Sequence, residues 1–465
     1  MKTNLQIGVV VCAAAIITTS AAWADPRGPR KVGELEPISL GTPHPHGIGH
    51  GANARTWTVR HAGATYIRLH FSRFELAPGD SLELSSADGT ETHTYTGKGP
   101  DGTGEFWAAI VGGDAAKLRL DSKNGTGFGF EVDSYGRGTE PLAGVLEPGE
   151  EEPQSPESIC GINDERDVEC YAGTPEYDAA KTVALEYIGC CSACTAVKVS
   201  DSGQFLTNNH CASTQSGVQS IELRFYYQRP GCNSGTAVIN GTTRGATLLK
   251  TDAILDYTLF STTTSSSSVP CAPLENRRPG IGEQIYIPGH PAAGPKRLSI
   301  DSDLDAGGKC TVSSNACTGN AAGSDVCYSC DTEGGSSGSP VFSAVTDKVV
   351  ALHHFGGCSN SGARMDLIYP QISSLLGSCS ASGGGTAVCN NGVREAGESC
   401  DGINLGGQTC VSLGFGGGTL TCTASCTLNT SACTAACRSR GATCSANSQC
   451  CSGQCNGKPG RQTCR

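Results

Sequence analysis

Hydrophobic and polar residues alternate over short stretches of residues 25–137, and turns separate these stretches. In "YIRLHF", the apolar residues Ile67, Leu69 and Phe71 alternate with polar neighbours, which is the two-residue period of a half-buried strand. "SLELSS", "EFWAAIV" and "KLRLDS" repeat the pattern, with turns such as "PGD", "ADG" and "KGPDGTG" between them. Short strands at this spacing predict a β-sandwich over residues 25–137, either a propeptide or an accessory domain.

The rest of the chain divides by composition. Residues 138–157 are rich in Gly, Pro and acidic residues, and residues 381–388 are rich in Gly and also contain Ser. Neither segment has a hydrophobic periodicity, so we interpret both as linkers. Residues 158–380 lie between them, with 14 cysteines and many strand-like runs. Two small units, 389–434 and 435–465, follow with six cysteines each. The sequence predicts a mainly β protein whose last two modules depend on disulfides for stability.

The first 24 residues are typical of an export signal. Lys2 precedes the apolar run "IGVVVCAAAII", and "AWA" ending at Ala24 matches a signal cleavage site. The run is too short to form a stable membrane-spanning helix, so we expect a secreted protein without a membrane anchor. Cys12 lies inside this signal and leaves 26 cysteines. An even, dense set in an exported chain predicts disulfides.

Charge and histidine spacing argue against several binding functions. The net charge is −11 and Lys and Arg form no cluster, so we do not expect nucleic acid as a partner. The CxxC pairs Cys191/Cys194 and Cys327/Cys330 could form a zinc site, but disulfides are favoured in an oxidising compartment. The histidines of "HPHGIGH" lie in a Pro- and Gly-rich lead-in. We therefore predict neither a metal nor a cofactor.

Three residues of the central region form a candidate catalytic set. Ser337 lies in "EGGSSGSPVF", which composition alone would make a flexible connector. A serine nucleophile needs a base, and the base needs a group that orients it. His210 follows an apolar strand in "GQFLTNNHCAST", and Asp256 lies inside the apolar run "ILDYTLF". A carboxylate in such a run is costly to bury without a partner, and a histidine N–H would be a suitable one.

The segments "LTNNHC", "DYTLF" and "GGSSGSPV" resemble, in this order, the signature segments of trypsin-like serine peptidases. The resemblance covers residues 158–380 and is closest to the bacterial lysyl endopeptidases, through "YYQRPGCNSG" and "IYIPGHPAAGPKRLSI". It implies a chymotrypsin-like double β-barrel and an endopeptidase that forms an acyl-enzyme on protein or peptide substrates. Ser337 would be the nucleophile, His210 the base and Asp256 its orienting carboxylate. The backbone N–H groups of Gly335 and Ser337 would form the oxyanion hole.

The resemblance also bears on activation and disulfides. Pancreatic-type enzymes have an aspartate before the nucleophile, which pairs with the new N-terminus after activation. Ser336 cannot form this pair, so we expect control by removal of the N-terminal block near the 138–157 linker. We expect Cys194–Cys211 to clamp the strand before His210. The resemblance implies two further pairs: Cys160–Cys358 and Cys170–Cys232.

Substrate preference is predicted from two carboxylates. Asp366 follows a cysteine as the lysyl endopeptidase aspartate does, and Asp331, beside Thr332, lies six residues before Ser337 as in trypsin. A carboxylate at the pocket floor predicts cleavage after Lys or Arg, with Asp366 as the pocket residue and Asp331 on the surface.

The strand containing His353 and His354 would border the substrate and the pocket mouth, although at least one of them could be purely structural. "HHFGG" leaves glutamyl endopeptidases as the alternative.

The C-terminal units resemble two known modules. Residues 389–433 resemble the cysteine-rich repeat of exported myxobacterial proteins, and the adjacent Cys450 and Cys451 give the last unit the cysteine order of a knottin. We expect these modules to bind a surface or a protein partner. A secreted adhesion protein with a vestigial triad is the non-enzymatic alternative.

Overall fold

A computed structural model describes four parts of the chain. They are residues 28–51, 54–139, 159–380 and 399–465, the last with gaps at 403–404, 406–407, 412, 414, 435–439, 448–449, 453 and 459–460. The predicted signal peptide (1–24), all but the first two residues of the 138–157 linker, and the 381–388 linker lie outside the described residues.

Two antiparallel sheets pack face to face over residues 33–138, as the alternating pattern predicts. One has the strand order β2-β10-β4-β7, with β8 also paired to β4, and the other has the order β3-β9-β5-β6. Ile67, Leu69 and Phe71 are buried between the sheets. The strands are β2 (Gly33–Gly41), β3 (Arg55–Arg60), β4 (Tyr66–Glu75), β5 (Ser81–Ser86), β6 (Thr92–Tyr95), β7 (Phe106–Trp107), β8 (Val111–Gly112), β9 (Ala115–Asp121) and β10 (Gly129–Gly138).

Residues 159–380 form two antiparallel barrels. The first has the strand order β13-β12-β15-β16-β17-β14, closed by pairing of β13 with β14. The second has the order β18-β22-β23-β24-β21-β20, and a bridge between Gln284 and Thr311 joins β20 to the start of β18. Strands β11 and β19 extend the second sheet. One apolar core, which includes Leu206 and Phe342, spans both barrels.

The elements of the barrels are mostly strands with a few short helices. The first half contains β11 (Arg166–Asp167), α1 (Pro175–Ala180), β12 (Val183–Ile188), β13 (Ser192–Ser200), β14 (Gln204–Thr207), α2 (Gln215–Gln219), β15 (Glu222–Phe225), β16 (Thr242–Asp252) and β17 (Tyr257–Thr262). The second half contains β18 (Ile285–Gly289), β19 (Arg297–Ser299), β20 (Val312–Cys317), β21 (Asp325–Tyr328), β22 (Pro340–Ser343), β23 (Val349–Phe355), β24 (Asn360–Arg364) and α3 (Met365–Ile372). Two 3-10 helices lie at Val168–Tyr171 and Pro291–Ala293.

The outer face of β4 is buried, where the half-buried pattern predicts exposure to solvent. Tyr66 and Arg68 are 0% and 1% exposed. The Tyr66 hydroxyl donates to the Cys190 carbonyl at 2.8 Å, and the Arg68 guanidinium donates to the Gly189 carbonyl. The sandwich therefore packs against the first barrel, and β4 is covered on both faces.

Buried charges accompany this contact. Glu222 of β15 accepts the N–H of Ile110 in the sandwich at 2.9 Å and the Nε–H of Arg224 at 2.9 Å. Burial would raise the pKa of Glu222, but the charges of Arg224 and Arg68 outweigh it and lower the pKa. The Glu222 carboxylate therefore compensates the charges of the two buried arginines at the junction between sandwich and barrel.

The described part of residues 159–380 contains six disulfides. They are Cys160–Cys358, Cys170–Cys232, Cys190–Cys191, Cys194–Cys211, Cys271–Cys379 and Cys317–Cys327. The three pairs expected from the sequence are among them. Cys310 and Cys330 are buried thiols. Since Cys191, Cys194 and Cys327 are in disulfides, neither CxxC pair provides two zinc ligands.

The described residues beyond 398 form small ribbons joined by disulfides. The ribbons pair β25 (Gly417–Gly418) with β28 (Cys433–Thr434), β26 (Thr421–Cys422) with β27 (Leu428–Asn429), and β29 (Cys455–Asn456) with β30 (Thr463–Cys464). The disulfides are Cys400–Cys422, Cys410–Cys433, Cys444–Cys455 and Cys450–Cys464. Four cysteines themselves form the buried cluster of the last unit, which fits a module stabilised by its bridges. No helix in the described parts of the chain is long and apolar enough to cross a membrane.

We predict that Glu222→Gln destabilises the protein by about 3–5 kcal/mol, because it leaves two buried arginines without their counter-charge. Urea unfolding monitored by tryptophan fluorescence measures the change. Asp178→Asn is the control, since it breaks a partly exposed ion pair with Lys181 and should cost less than about 1 kcal/mol. Equal small effects of both changes would show that the buried carboxylate does not stabilise the junction.

Candidate active site

His210 and Asp256 meet where two neighbouring strands of the first barrel end. His210 follows β14, and Asp256 immediately precedes β17, which pairs with β14. Asp256 Oδ2 accepts the Nδ1–H of His210 at 2.7 Å, and Oδ1 accepts the His210 backbone N–H at 2.9 Å. One carboxylate therefore fixes both the ring and the backbone of His210. With the proton on Nδ1, the Nε2 atom is free to act as a base.

A second histidine contacts the same carboxylate. His354 Nδ1 lies 3.1 Å from Asp256 Oδ2, and its Nε2 lies 2.6 Å from Oδ2 of the buried Asp325. Burial would lower the pKa of His354, but its hydrogen bonds to Asp256 and Asp325 raise it. Burial would likewise raise the pKa of Asp256, but the hydrogen bonds from His210 and His354 hold it well below its usual range. Both ring nitrogens of His354 therefore face carboxylate oxygens, an arrangement that favours the protonated ring.

The sequence predicts His354 near the substrate and gives no role to Asp325. The structure instead encloses the His354 side chain between Asp256 and Asp325. Asp325 accepts further hydrogen bonds from Ser324 and Ser361. The signal for Asp325 was present in "SDVCY", where a carboxylate begins a buried strand, which is the feature that singled out Asp256.

Strand β13 fixes the backbone of residues 333–339, the loop that contains the candidate nucleophile Ser337 (the nucleophile loop). Thr195 N–H donates to the Ser337 carbonyl at 2.8 Å, and the Thr195 hydroxyl donates to the Gly335 carbonyl at 2.8 Å. Gly335 has a φ of +105°, a conformation that glycine adopts without strain. A Cβ at Gly338 would lie 2.0 Å from the Thr195 carbonyl oxygen, so this close approach also requires glycine. The loop is thus an ordered turn and not a flexible connector.

The same strand ties this loop to His210. Cys194 precedes Thr195 on β13, and its disulfide to Cys211 holds the residue next to His210. The Nε2 atom of His210 is buried, and within the described part of the chain it makes no hydrogen bond. A base–nucleophile hydrogen bond is often loose before substrate binds. The side chain of Ser336 instead accepts the Glu333 N–H at 3.3 Å, which is a structural contact.

His353 lies directly behind the nucleophile loop. Its carbonyl accepts the Gly338 N–H at 2.9 Å, and its own N–H donates to the Ser339 carbonyl at 2.9 Å. Its Nδ1 lies 2.8 Å from the Tyr328 hydroxyl. Burial, together with the charges of neighbouring histidines, lowers the pKa of His353 to about 3. His353 is therefore neutral at physiological pH.

The two candidate pocket carboxylates lie in different surroundings. Asp366 is in the first turn of α3, where the Nε–H of Arg364 donates to Oδ1 at 2.9 Å and a second guanidinium N–H donates to Oδ2. Asp331 is 1% exposed, and its oxygens accept the backbone N–H groups of Cys160 and Asp164, both at 2.7 Å. The expectation that Asp331 lies on the surface is wrong, because the start of the barrel region folds over it.

Asp331 has no cationic partner among the described residues. Burial, which the two backbone N–H bonds only partly offset, raises the pKa of Asp331 to about 6, with a smaller contribution from the charges of two nearby carboxylates. The hydroxyl of the adjacent Thr332 is also buried, without a hydrogen bond in the described parts. Asp331 is thus a buried carboxylate whose charge is not neutralised by the protein.

Three solved protease structures match parts of the chain at low sequence identity. A serine endoprotease from Yersinia pestis matches with 16% identity and a TM-score of 0.32, covering 44% of this chain and 67% of the other. A Glu endopeptidase matches with 16% identity and a TM-score of 0.35, covering 47% and 98%. The HtrA-type protease AlgW matches with 16% identity and a TM-score of 0.33, covering 43% and 63%.

Sequence comparisons give a family. "Secreted RxLR effector protein 73" of Plasmopara viticola is 31% identical over 326 residues, which are 66% of this chain and 78% of that protein. The model of the trypsin-like peptidase domain matches residues 194–352, the part that contains His210, Asp256 and Ser337. The chain therefore contains a trypsin-like peptidase domain and belongs to the same family as the Plasmopara viticola protein.

Proposed function

We propose that the protein is a serine endopeptidase with His210, Asp256 and Ser337 as its catalytic triad. The observation that supports this most is the Asp256 carboxylate, which holds the His210 ring and backbone at 2.7 and 2.9 Å. The Nε2 atom of the same ring makes no hydrogen bond in the described part of the chain. This is the state that a general base needs before it accepts a proton.

In the proposed mechanism, the Ser337 oxygen attacks the carbonyl carbon while His210 Nε2 takes the hydroxyl proton. The N–H groups of Gly335 and Ser337 bind the oxyanion of the tetrahedral intermediate. The C–N bond then breaks, and His210 donates its proton to the leaving amine. Water, deprotonated by His210, hydrolyses the resulting ester. Asp256 keeps the His210 tautomer and stabilises the imidazolium throughout.

We propose cleavage after Lys or Arg, with Asp331 and not Asp366 as the residue that binds the cation. A buried carboxylate without a cation is costly, and a substrate side chain would supply the missing charge. Asp366 already has the Arg364 guanidinium. The buried Thr332 hydroxyl could accept a further hydrogen bond from the same cation. A carboxylate in the pocket also disfavours the glutamyl alternative, since it would repel an acidic side chain.

We also propose an extracellular location, supported by the ten disulfides formed between described residues. The two C-terminal modules would then bind a surface or protein partner, a role supported by their small size and separate disulfides.

We predict that Ser337→Ala, His210→Ala and Asp256→Asn each lower kcat by about 10⁴-fold or more. Peptide hydrolysis assays measure kcat, and labelling by a fluorophosphonate reports the reactive serine. Ser336→Ala is the matched control and should have a mild effect. Failure of the unaltered chain to label, or labelling that survives Ser337→Ala, would favour the non-catalytic alternative.

For specificity, we predict that Asp331→Asn lowers kcat/KM for a Lys or Arg substrate at least about a hundredfold, because a buried charge pair is lost. Asp366→Asn should leave this preference unchanged. Fluorophosphonate labelling should remain in both variants. Cleavage after Glu but not after Lys or Arg would contradict the proposed pocket.

The pH dependence of binding checks the same carboxylate. Protonation of Asp331 removes its charge, so binding of the cation benzamidine to Ser337→Ala should weaken as the pH falls through about 6. The double variant with Asp331→Asn should show no such transition in calorimetric titrations.

We propose that His354 acts on His210 through Asp256, and we predict that His354→Gln shifts the acidic limb of the kcat/KM–pH profile to higher pH. Removing a cation beside Asp256 leaves more negative charge near His210, which favours its protonated form. Ser361→Ala is the control, since it removes a hydrogen bond to Asp325 without removing a charge. An unmoved limb in His354→Gln, with native thermal stability retained, would show that His354 does not tune His210.

A further inference from the structure

The first described residues of the chain form a strand of the first barrel and not of the sandwich. Strand β1 (Arg30–Lys31) pairs antiparallel with β13, with Arg30 opposite Ala193 and Lys31 opposite Ser192. The Val32 N–H continues this contact by donating to the Cys191 carbonyl at 2.8 Å. The edge of β13 is therefore occupied by the N-terminal segment of the same chain.

This edge lies beside the nucleophile. Ala193, the partner of Arg30, is two residues before Thr195, whose N–H holds the Ser337 carbonyl. The Arg30 side chain lies against the same loop, since a Cβ added at Gly334 would be 3.6 Å from Arg30 Cδ. Because the strands are antiparallel, the chain runs from Lys31 back through Arg30 in the direction of Thr195 and Ser337.

The position corresponds to the leaving-group side of a bound peptide. His210 must donate its proton to the leaving amine, and the disulfide next to it, Cys194–Cys211, attaches to this part of β13. An extended peptide that leaves the nucleophile on this side would pair with the β13 edge by main-chain hydrogen bonds. Arg30 and Lys31 already take those positions.

The sandwich holds the segment in place. Val32 is 1% exposed and packs with Tyr66 and Ile110 of the sandwich and Tyr187 of the barrel. Its carbonyl accepts the Thr139 N–H at 3.0 Å, at the end of the sandwich. A strand attached to a docked domain competes at a high effective concentration.

We propose that residues 28–32 are a tethered substrate mimic, which blocks the leaving-group side of the active site until the segment is cut or withdrawn. The proposal rests on the proposed endopeptidase function. It places inhibition in the first residues of the N-terminal block, so activation does not require loss of the whole sandwich.

The test compares two substrates with the same acyl side ending in Lys. One is a peptide that extends three residues beyond the cleaved bond, and the other is a p-nitroanilide, which has no leaving-group peptide. Deleting residues 25–31 from the chain that begins at Asp25 should raise the ratio of kcat/KM for the peptide to that for the anilide at least about tenfold. Arg30→Ala should raise it less. Lys31→Ala is the matched control, because its side chain is 71% exposed, and should not change the ratio.

A synthetic peptide with the sequence GPRKVG (residues 28–33) should lower the ratio again when added to the deletion variant, and a scrambled peptide should not. An unchanged ratio after deletion, or loss of anilide hydrolysis on deletion, would overturn the proposal. If the full chain neither hydrolyses the anilide nor labels with a fluorophosphonate, the proposed function itself fails and the inhibitory role fails with it.

Discussion

The two hydrogen bonds from Thr195 to the nucleophile loop are the contact on which the arrangement of the site depends. Each bond is 2.8 Å long, and together they join β13 of the first barrel to the nucleophile loop, which contains Ser337. The neighbouring Cys194 binds the loop that contains His210, and the preceding Ala193 pairs with the N-terminal strand. One strand therefore contacts the loop that contains His210, the loop that contains Ser337 and the N-terminal strand.

Much of the fold followed from local signals in the sequence. Alternation in "YIRLHF" predicted a sandwich strand because side chains on a strand point alternately to its two faces. It could not predict that Tyr66 and Arg68 would be buried, because their partners, Gly189 and Cys190, are more than 100 residues away. The alternation of apolar and polar residues shows which face of a strand is apolar. A polar face can also be buried when another domain satisfies its hydrogen bonds.

The candidate site shows the same limit. A lone carboxylate in an apolar run identified Asp256 because burial of its charge requires a partner. The surroundings of the two candidate pocket carboxylates could not be predicted, since sequence spacing does not reveal that Arg364 neutralises Asp366 or that the amides of Cys160 and Asp164 enclose Asp331. The His354–Asp325 contact joins β23 to β21, which β24 separates in the sheet, so the local signal at Asp325 could not predict its partner.

Charge connects these observations to function. Asp256 keeps its negative charge although it is buried, because two histidines donate hydrogen bonds to it. Burial of the Asp331 carboxylate costs free energy, which the charge of a cationic substrate would offset. The sandwich adds a third buried cluster around Glu222, which makes it part of the folded unit and not a loosely attached leader. The proposed catalysis, specificity and control would thus each depend on a buried carboxylate or on the strand beside it.

The proposed mechanism requires Ser337 to form a covalent acyl-enzyme. Rapid acid quenching of the protein during hydrolysis of a lysine ester, followed by mass spectrometry of its fragments, detects this intermediate. We expect the lysyl acyl group on Ser337, and we expect it to be absent from the Asp256→Asn variant quenched at the same time. An adduct on Ser336, or turnover of the ester without any adduct on this loop, would contradict it.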